Sequence, residues 1–149
     1  MVCRVTTAGE SRLFLRGACR AGCLIGLLLV FPAVAQRYDE VVITAADYKN
    51  LDTFETAALA KADKVFAAKD YRAATAEYDL FLVENGRSSA SAYALLRKGR
   101  SQMLDNKRYE AVRTFKEVID YFPDSVLYAA AALYYQGQCH FENGEQANA

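Results

Sequence analysis

The sequence predicts an all-α protein made of antiparallel helical hairpins stacked side by side. Three observations carry that expectation. Apolar residues recur at helical spacing from residue 54 onward, and small residues return every 37 or 38 positions. Only two prolines and eight glycines interrupt 149 residues, so breakers are scarce and alanines plentiful.

The elements follow in order. Residues 36–53 read as an extended lead-in, with β-branched Val41, Val42 and Ile43 before a cap candidate at Thr44. An N-terminus of this kind is an unpaired segment by default. Thr44-x-x-Asp47 and Asp52-x-x-Glu55 both have capping-box form, and either can begin the first helix. The first apolar stripe is Phe54, Ala58, Ala62, Val65 and Phe66, broken near Lys69. The second is Tyr71, Ala74, Tyr78, Phe81 and Leu82, stopped at Asn85-Gly86. Serines 88, 89 and 91 offer caps for a third helix, whose stripe is Ala92, Leu95, Leu96, Gly99 and Met103. After a turn at residues 105–108, the fourth stripe is Ala111, Val112, Phe115, Val118, Ile119 and Phe122, ended by Pro123. Asp124 or Ser125 caps a fifth helix, with Ala130, Leu133, Tyr134, Gly137 and Phe141 as its stripe and Asn143-Gly144 as its stop. Connections this short make neighbouring helices antiparallel.

The first 35 residues have a different character. Arg4, Arg12, Arg16 and Arg20 precede a short apolar run at 23–31, then Pro32 and Ala-Val-Ala. These are the parts of a secretory signal peptide spanning 1–35, with cleavage after Ala35. The apolar run is about half the roughly 20 residues a spanning helix needs, although an uncleaved anchor is the alternative. Cys23 stands at the head of the apolar run, whereas a lipidated cysteine follows one. Removing 1–35 leaves 14 basic and 17 acidic residues, a net charge of −3. Such a balance disfavours nucleic acid as a partner. It also leaves Cys139 alone, which excludes an internal disulfide or a cysteine-based metal site and reads as a small buried residue.

The copies superpose on their small residues. Ala62, Gly99 and Gly137 sit in the middle of the first, third and fifth helices. Twelve positions after each come Ala74, Ala111 and Ala149. Tyr78 and Phe115 follow their alanines by four, and Gly144 stands where earlier copies have Lys69 and Asn106. Two helices cross closely only where side chains are small, and an aromatic one turn on fills the wedge beyond. One hairpin alone leaves an apolar face bare; the next covers it.

Gly137, Gly144 and Ala149, the aromatic at 78 or 115, and Pro123 ending a second helix resemble the tetratricopeptide repeat. The phrase Tyr121-Phe122-Pro123-Asp124-Ser125 before an Ala/Tyr-rich helix resembles one bacterial cell-envelope subgroup of that family. It includes the Tol-Pal-associated periplasmic coordinator of cell division and the outer-membrane assembly lipoprotein. Lys69 in place of the turn glycine, and Glu84 to Ser89 in place of the proline phrase, depart from the pattern.

The resemblance implies a right-handed solenoid over 54–149, in copies 54–86, 88–123 and an incomplete 124–149. Ala149 then falls just inside the second helix of the third hairpin, so the chain reads as a fragment of a longer array; a fifth helix acting as terminal cap is the alternative. First helices would line the concave side, placing Asp63, Arg100 and Gln138 at matching positions with Tyr93 and Tyr134 beside them. A groove mixing Arg and Tyr suits a protein or peptide partner.

Chemistry-bearing patterns are lacking. The one histidine, His140, falls inside the fifth helix, and there is no phosphate loop, His-x-x-x-His or nucleophile elbow. No catalytic residue, metal ligand or cofactor is expected. Acid pairs such as Asp63 with Glu77, and Glu110 with Glu117, read as solvated faces. The expectation is a non-enzymatic exported scaffold at the bacterial cell envelope, in the periplasm or at the periplasmic face of the outer membrane. Its partners would be envelope proteins, and it would meet a membrane only through its signal segment or a partner. The alternative is the N-terminal repeat region of a larger envelope enzyme or assembly machine.

Overall fold

A computed structural model describes residues 41–144. The expected signal peptide at 1–35, the start of the lead-in and Ala149 lie outside the described residues. Within them the chain is helical, in six segments with no strand: α1 (Ala45–Lys49), α2 (Thr53–Ala67), α3 (Tyr71–Glu84), α4 (Ser91–Leu104), α5 (Arg108–Tyr121) and α6 (Val126–Glu142). Consecutive helices pack against one another from α2 to α6, and α4 also meets α6 directly. The result is a solenoid of hairpins.

Both capping candidates are used, which the sequence left undecided. Thr44 caps α1, its hydroxyl accepting the Asp47 N–H at 3.1 Å. Asp52 and Glu55 form a reciprocal box on α2, at 2.7 and 2.9 Å. Asp70 caps α3 by accepting from the Ala73 N–H.

The expected serine caps do other work. Ala90 holds the cap position of α4, while Ser89 Oγ donates to the Asp47 carbonyl and Ser91 Oγ to the Asn85 carbonyl. Ser125 precedes α6 but its side chain makes no capping bond. In both places buried packing of the helix, rather than a cap, sets the start. Helix α5 ends at Tyr121, two residues before exposed Pro123.

The hairpin turns share one backbone device. Lys69 and Asn106 adopt φ of 64°, and Gly144 adopts 78°, each seven positions after the small residue of its copy. Only glycine takes this left-handed conformation without a Cβ penalty. Asn106 tolerates it better than Lys69 does.

The close crossing is tightest in the middle copy. A Cβ on Gly99 would lie 2.7 Å from Phe115 Cε1 and 2.9 Å from Cδ1, so the ring sits where a side chain would begin. Ala62, Ala74 and Ala111 are fully buried, as are Tyr78 and Phe115 above them. Gln102 and Thr114 add a buried hydrogen bond of 2.7 Å between α4 and α5 that the apolar pattern did not indicate.

Two expected stripes are corrected. Phe54 projects into solvent at the first turn of α2. In α6, Leu133, Tyr134 and Phe141 are 57, 49 and 64% exposed, and the buried residues are Tyr128, Ala131, Ala132, Tyr135 and Cys139. The register explains the difference. Leu95, Leu96 and Met103, the equivalents of the three exposed residues, are 6, 1 and 7% exposed. They share the face of α4 whose Gly99 and Gln102 meet α5. The sequence stripe in α6 is therefore the face for a following helix, whereas burial among the described residues comes from the preceding hairpin. Gly137, half-buried, stands on that same side.

Gly99→Ala should lower stability. Overpacking against Phe115 costs about 1–3 kcal/mol, against about 1 kcal/mol gained in helix propensity. Urea unfolding measures it, and Phe115→Leu in the same chain should restore much of the loss. Lys69→Gly should act oppositely, raising stability by about 0.5–1 kcal/mol as left-handed strain is relieved. Thermal melting checks the sign.

Candidate functional site

The first helices of the hairpins, α2, α4 and α6, carry the residues expected to meet a partner. Their surroundings begin with a polar cluster between α2, α3 and α4. Asp63 accepts from the Tyr78 hydroxyl on α3 and from the Tyr93 hydroxyl on α4, the latter at 3.1 and 3.3 Å to its two oxygens. Arg97 Nε lies 3.3 Å from the Tyr78 hydroxyl, to which it donates, and 3.6 Å from Asp63. Its guanidinium is 3.8 Å from the Phe66 ring centroid. The Arg97 charge is thus held by an opposite charge, a π face and one phenol, and the Asp63 charge by Arg97 and two phenols.

This corrects the reading of Asp63 as part of a solvated face. The carboxylate is half-buried and consumed by two tyrosines, because the α2–α3 and α2–α4 crossings both point phenols at it. Glu77 is half-buried as well, pairing with Lys61 at 2.8 Å. Burial pushes the Tyr78 and Tyr93 hydroxyls well above the usual phenol range, Arg97 opposing the shift and Asp63 adding to it.

Beside the cluster lies a cleft of about 460 Å³. Phe66 and Ala67 of α2 form one wall, and Tyr93, Arg97, Arg100 and Leu104 of α4 the other. Val41 and Val42 of the lead-in close it. Arg100 stacks 4.6 Å from the Tyr135 ring centroid and reaches Met103 Sδ at 3.4 Å. Tyr93 is buried, 6.1 Å from Tyr128 ring to ring.

The five positions singled out from sequence are therefore distributed unevenly. Tyr93 and Arg100 line the cleft, and Asp63 supports it from behind. Gln138 is half-buried on α6 and donates from Nε2 to Glu142 at 3.1 Å. Tyr134 is half-exposed on α6, outside the cleft lining and against the ring of Tyr135. Arg97 went unmarked, although Tyr93, Arg97 and Arg100 fall at i, i+4 and i+7 on one helix face. Val41, Val42 and Tyr128 had no local signal, since their partners are some 25 to 84 residues away in the chain.

The described part of the lead-in, from Val41 on, is packed, contrary to the expectation of an unpaired segment. Val41 belongs to the buried core and Ile43 packs against it. The Thr44 N–H donates to the Tyr128 hydroxyl at 2.9 Å, and that hydroxyl donates to Asp47 at 2.7 Å. Burial pushes the Tyr128 hydroxyl up to about 12, and Asp47 adds to the shift.

Groups able to do chemistry are few. Among the described residues no group of three or more His, Cys, Asp or Glu could hold a metal ion. Burial raises the Cys139 thiol to about 11, with Glu142 contributing, so little thiolate exists at neutral pH. None of the described helices is long and apolar enough to cross a membrane.

Residues 93–125 match the family model of the tetratricopeptide repeat. The matched span runs from α4 through α5 to the residue before α6, which is the middle copy. No curated protein and no solved structure matches the chain. The fold is accordingly a tetratricopeptide-type helical solenoid, and repeats of this type typically act as non-catalytic modules of protein–protein interaction.

The raised tyrosines give a signed pH dependence. Tyr128 holds its proton in the folded state to about pH 12 and loses it near 10 when unfolded. Its contribution to stability is whole below pH 10 and is lost as pH rises towards 12. Tyr78 and Tyr93 act in the same direction. Absorbance of phenolate during alkaline titration should show these three ionising late, together with unfolding, and Tyr128→Phe should narrow the loss.

Proposed function

We propose that the tetratricopeptide repeat at 93–125 and its flanking hairpins form an exported scaffold of a bacterial cell envelope. The scaffold holds a partner protein along the α2–α4–α6 face and performs no reaction itself. The observation that carries the binding reading is the cleft of Phe66, Tyr93, Arg97 and Arg100, which joins aromatic surface to guanidinium groups on a rigid helical frame. Export is supported by the basic-then-apolar sequence of residues 1–35 with its small-residue site at Ala33 to Ala35. The phrase at 121–125 favours the periplasmic subgroup concerned with Tol-Pal function and outer-membrane assembly.

A second reading has its own observation. Leu133, Tyr134 and Phe141 of α6 are exposed among the described residues, whereas Leu95, Leu96 and Met103 at the same positions one copy earlier are buried. That favours these hairpins as one region of a longer envelope enzyme or assembly machine.

A photo-crosslinking residue placed at exposed Ala67, on the cleft wall, tests the first reading in a bacterial cell. We expect a crosslinked envelope protein, a mature N-terminus at Gln36, and a yield reduced about tenfold or more by Arg100→Glu. An uncleaved chain with no adduct would overturn it.

A further inference from the structure

The described chain begins with a stretch lying where a peptide ligand would lie. Val41 is buried in the hydrophobic core and, with Val42, borders the same cleft as Tyr93 and Arg97. From there the backbone runs outside any helix to Thr44, which is extended and whose N–H donates to the Tyr128 hydroxyl. Two positions hold the end of the stretch. Asp47 Oδ2 accepts from Tyr128 and from Thr44 Oγ1, at 2.7 and 2.6 Å, and the Asp47 carbonyl accepts from Ser89 Oγ at 2.8 Å. An aromatic wall takes β-branched side chains, a phenol reads one backbone amide, and a hydroxyl pair fixes an acid three residues on. Each contact is one a peptide in trans could make.

We propose that this face is a receptor for an extended, β-branched segment, and that residues 41–44 are its resident occupant. A partner protein presenting the same chemistry binds by displacing them. Its segment has two or three β-branched residues in extended form, then a hydroxyl residue with an acid three positions later. The inference rests on the binding reading above and adds to it both the partner's chemistry and a built-in competitor.

The hold on the occupant is limited. Helix α1 has five residues and buries none of them, and Val42 is largely exposed. A helix so short has little stability of its own, so the segment belongs to the part of the fold that opens first. Because it is tethered, it competes at an effective concentration on the order of millimolar. A free peptide of the same sequence therefore binds the intact protein poorly.

The test uses the full chain and a fluorescent synthetic peptide of residues 41–49. We expect Val41→Asp to release the resident segment and tighten peptide binding by about tenfold or more relative to the unchanged protein. Thr44→Pro is the milder variant, since Thr44 already has φ of −68° and the change leaves Val41 in place while removing the Thr44 N–H to Tyr128 and the hydroxyl bonds to Asp47. It should tighten binding less, and it decides the matter if Val41→Asp fails to fold by circular dichroism. Equal binding to the folded variants and the unchanged protein, or binding to none of them, overturns the proposal. If a crosslinked envelope partner is caught equally by the unchanged protein and the variant, the scaffold reading survives and the resident occupant does not. If peptide binding tightens but no envelope partner is caught, the reverse holds.

Discussion

The structure depends on how closely α4 and α5 can approach. Gly99 gives Phe115 room to lie against the helix backbone, and Phe115 in turn lies 5.5 Å from the ring of Tyr135 in the next copy. A single missing side chain thus sets the spacing within one hairpin and, through the ring it admits, the seat of the following one. Alanine does the same work at 62, 74 and 111, where burial is complete. Helix pairs with larger residues there would separate, and the wedge-filling aromatics would have nothing to fill.

Polar contacts then fix which face the stacked pairs present. Apolar packing alone tolerates small rotations of a helix, but the Asp63 carboxylate with its two phenols and Arg97 does not. Each member of that group is satisfied by another, and the cluster joins three helices from two copies. Asp63 and Tyr78 sit behind the cleft while Tyr93 and Arg97 form part of its wall, so the cluster fixes that guanidinium and aromatic surface in place. A buried cluster of this kind confers specificity of arrangement more than net stability.

Helix order, hairpin pairing and the small-residue register were legible because each is written in local spacing. The turn position shared by Lys69, Asn106 and Gly144 was legible too, since seven residues separate it from its small residue in every copy. The α6 stripe was misread for a physical reason. A helix in a solenoid has two apolar sides, and periodicity does not say which one meets the previous pair and which the next. The cleft was half visible: Arg100 falls on the repeat register with Asp63 and Gln138, and Tyr93 flanks it, whereas Arg97 has no such counterpart. The lead-in was invisible because what holds it is Tyr128, 84 positions away from Thr44, and no pattern within 15 residues encodes that.

That last bond changes how the array should behave as a polymer. Stacked repeats approximate a one-dimensional chain in which each unit feels only its neighbours, and ends fray independently. Here the stretch ahead of the first pair lines a cleft with α4 of the middle pair and is hydrogen-bonded to the opening turn of the third. A circuit closed in this way couples the segment at 44–47 to α6, so opening of one weakens the other. Cooperativity then comes from a loop rather than from a line.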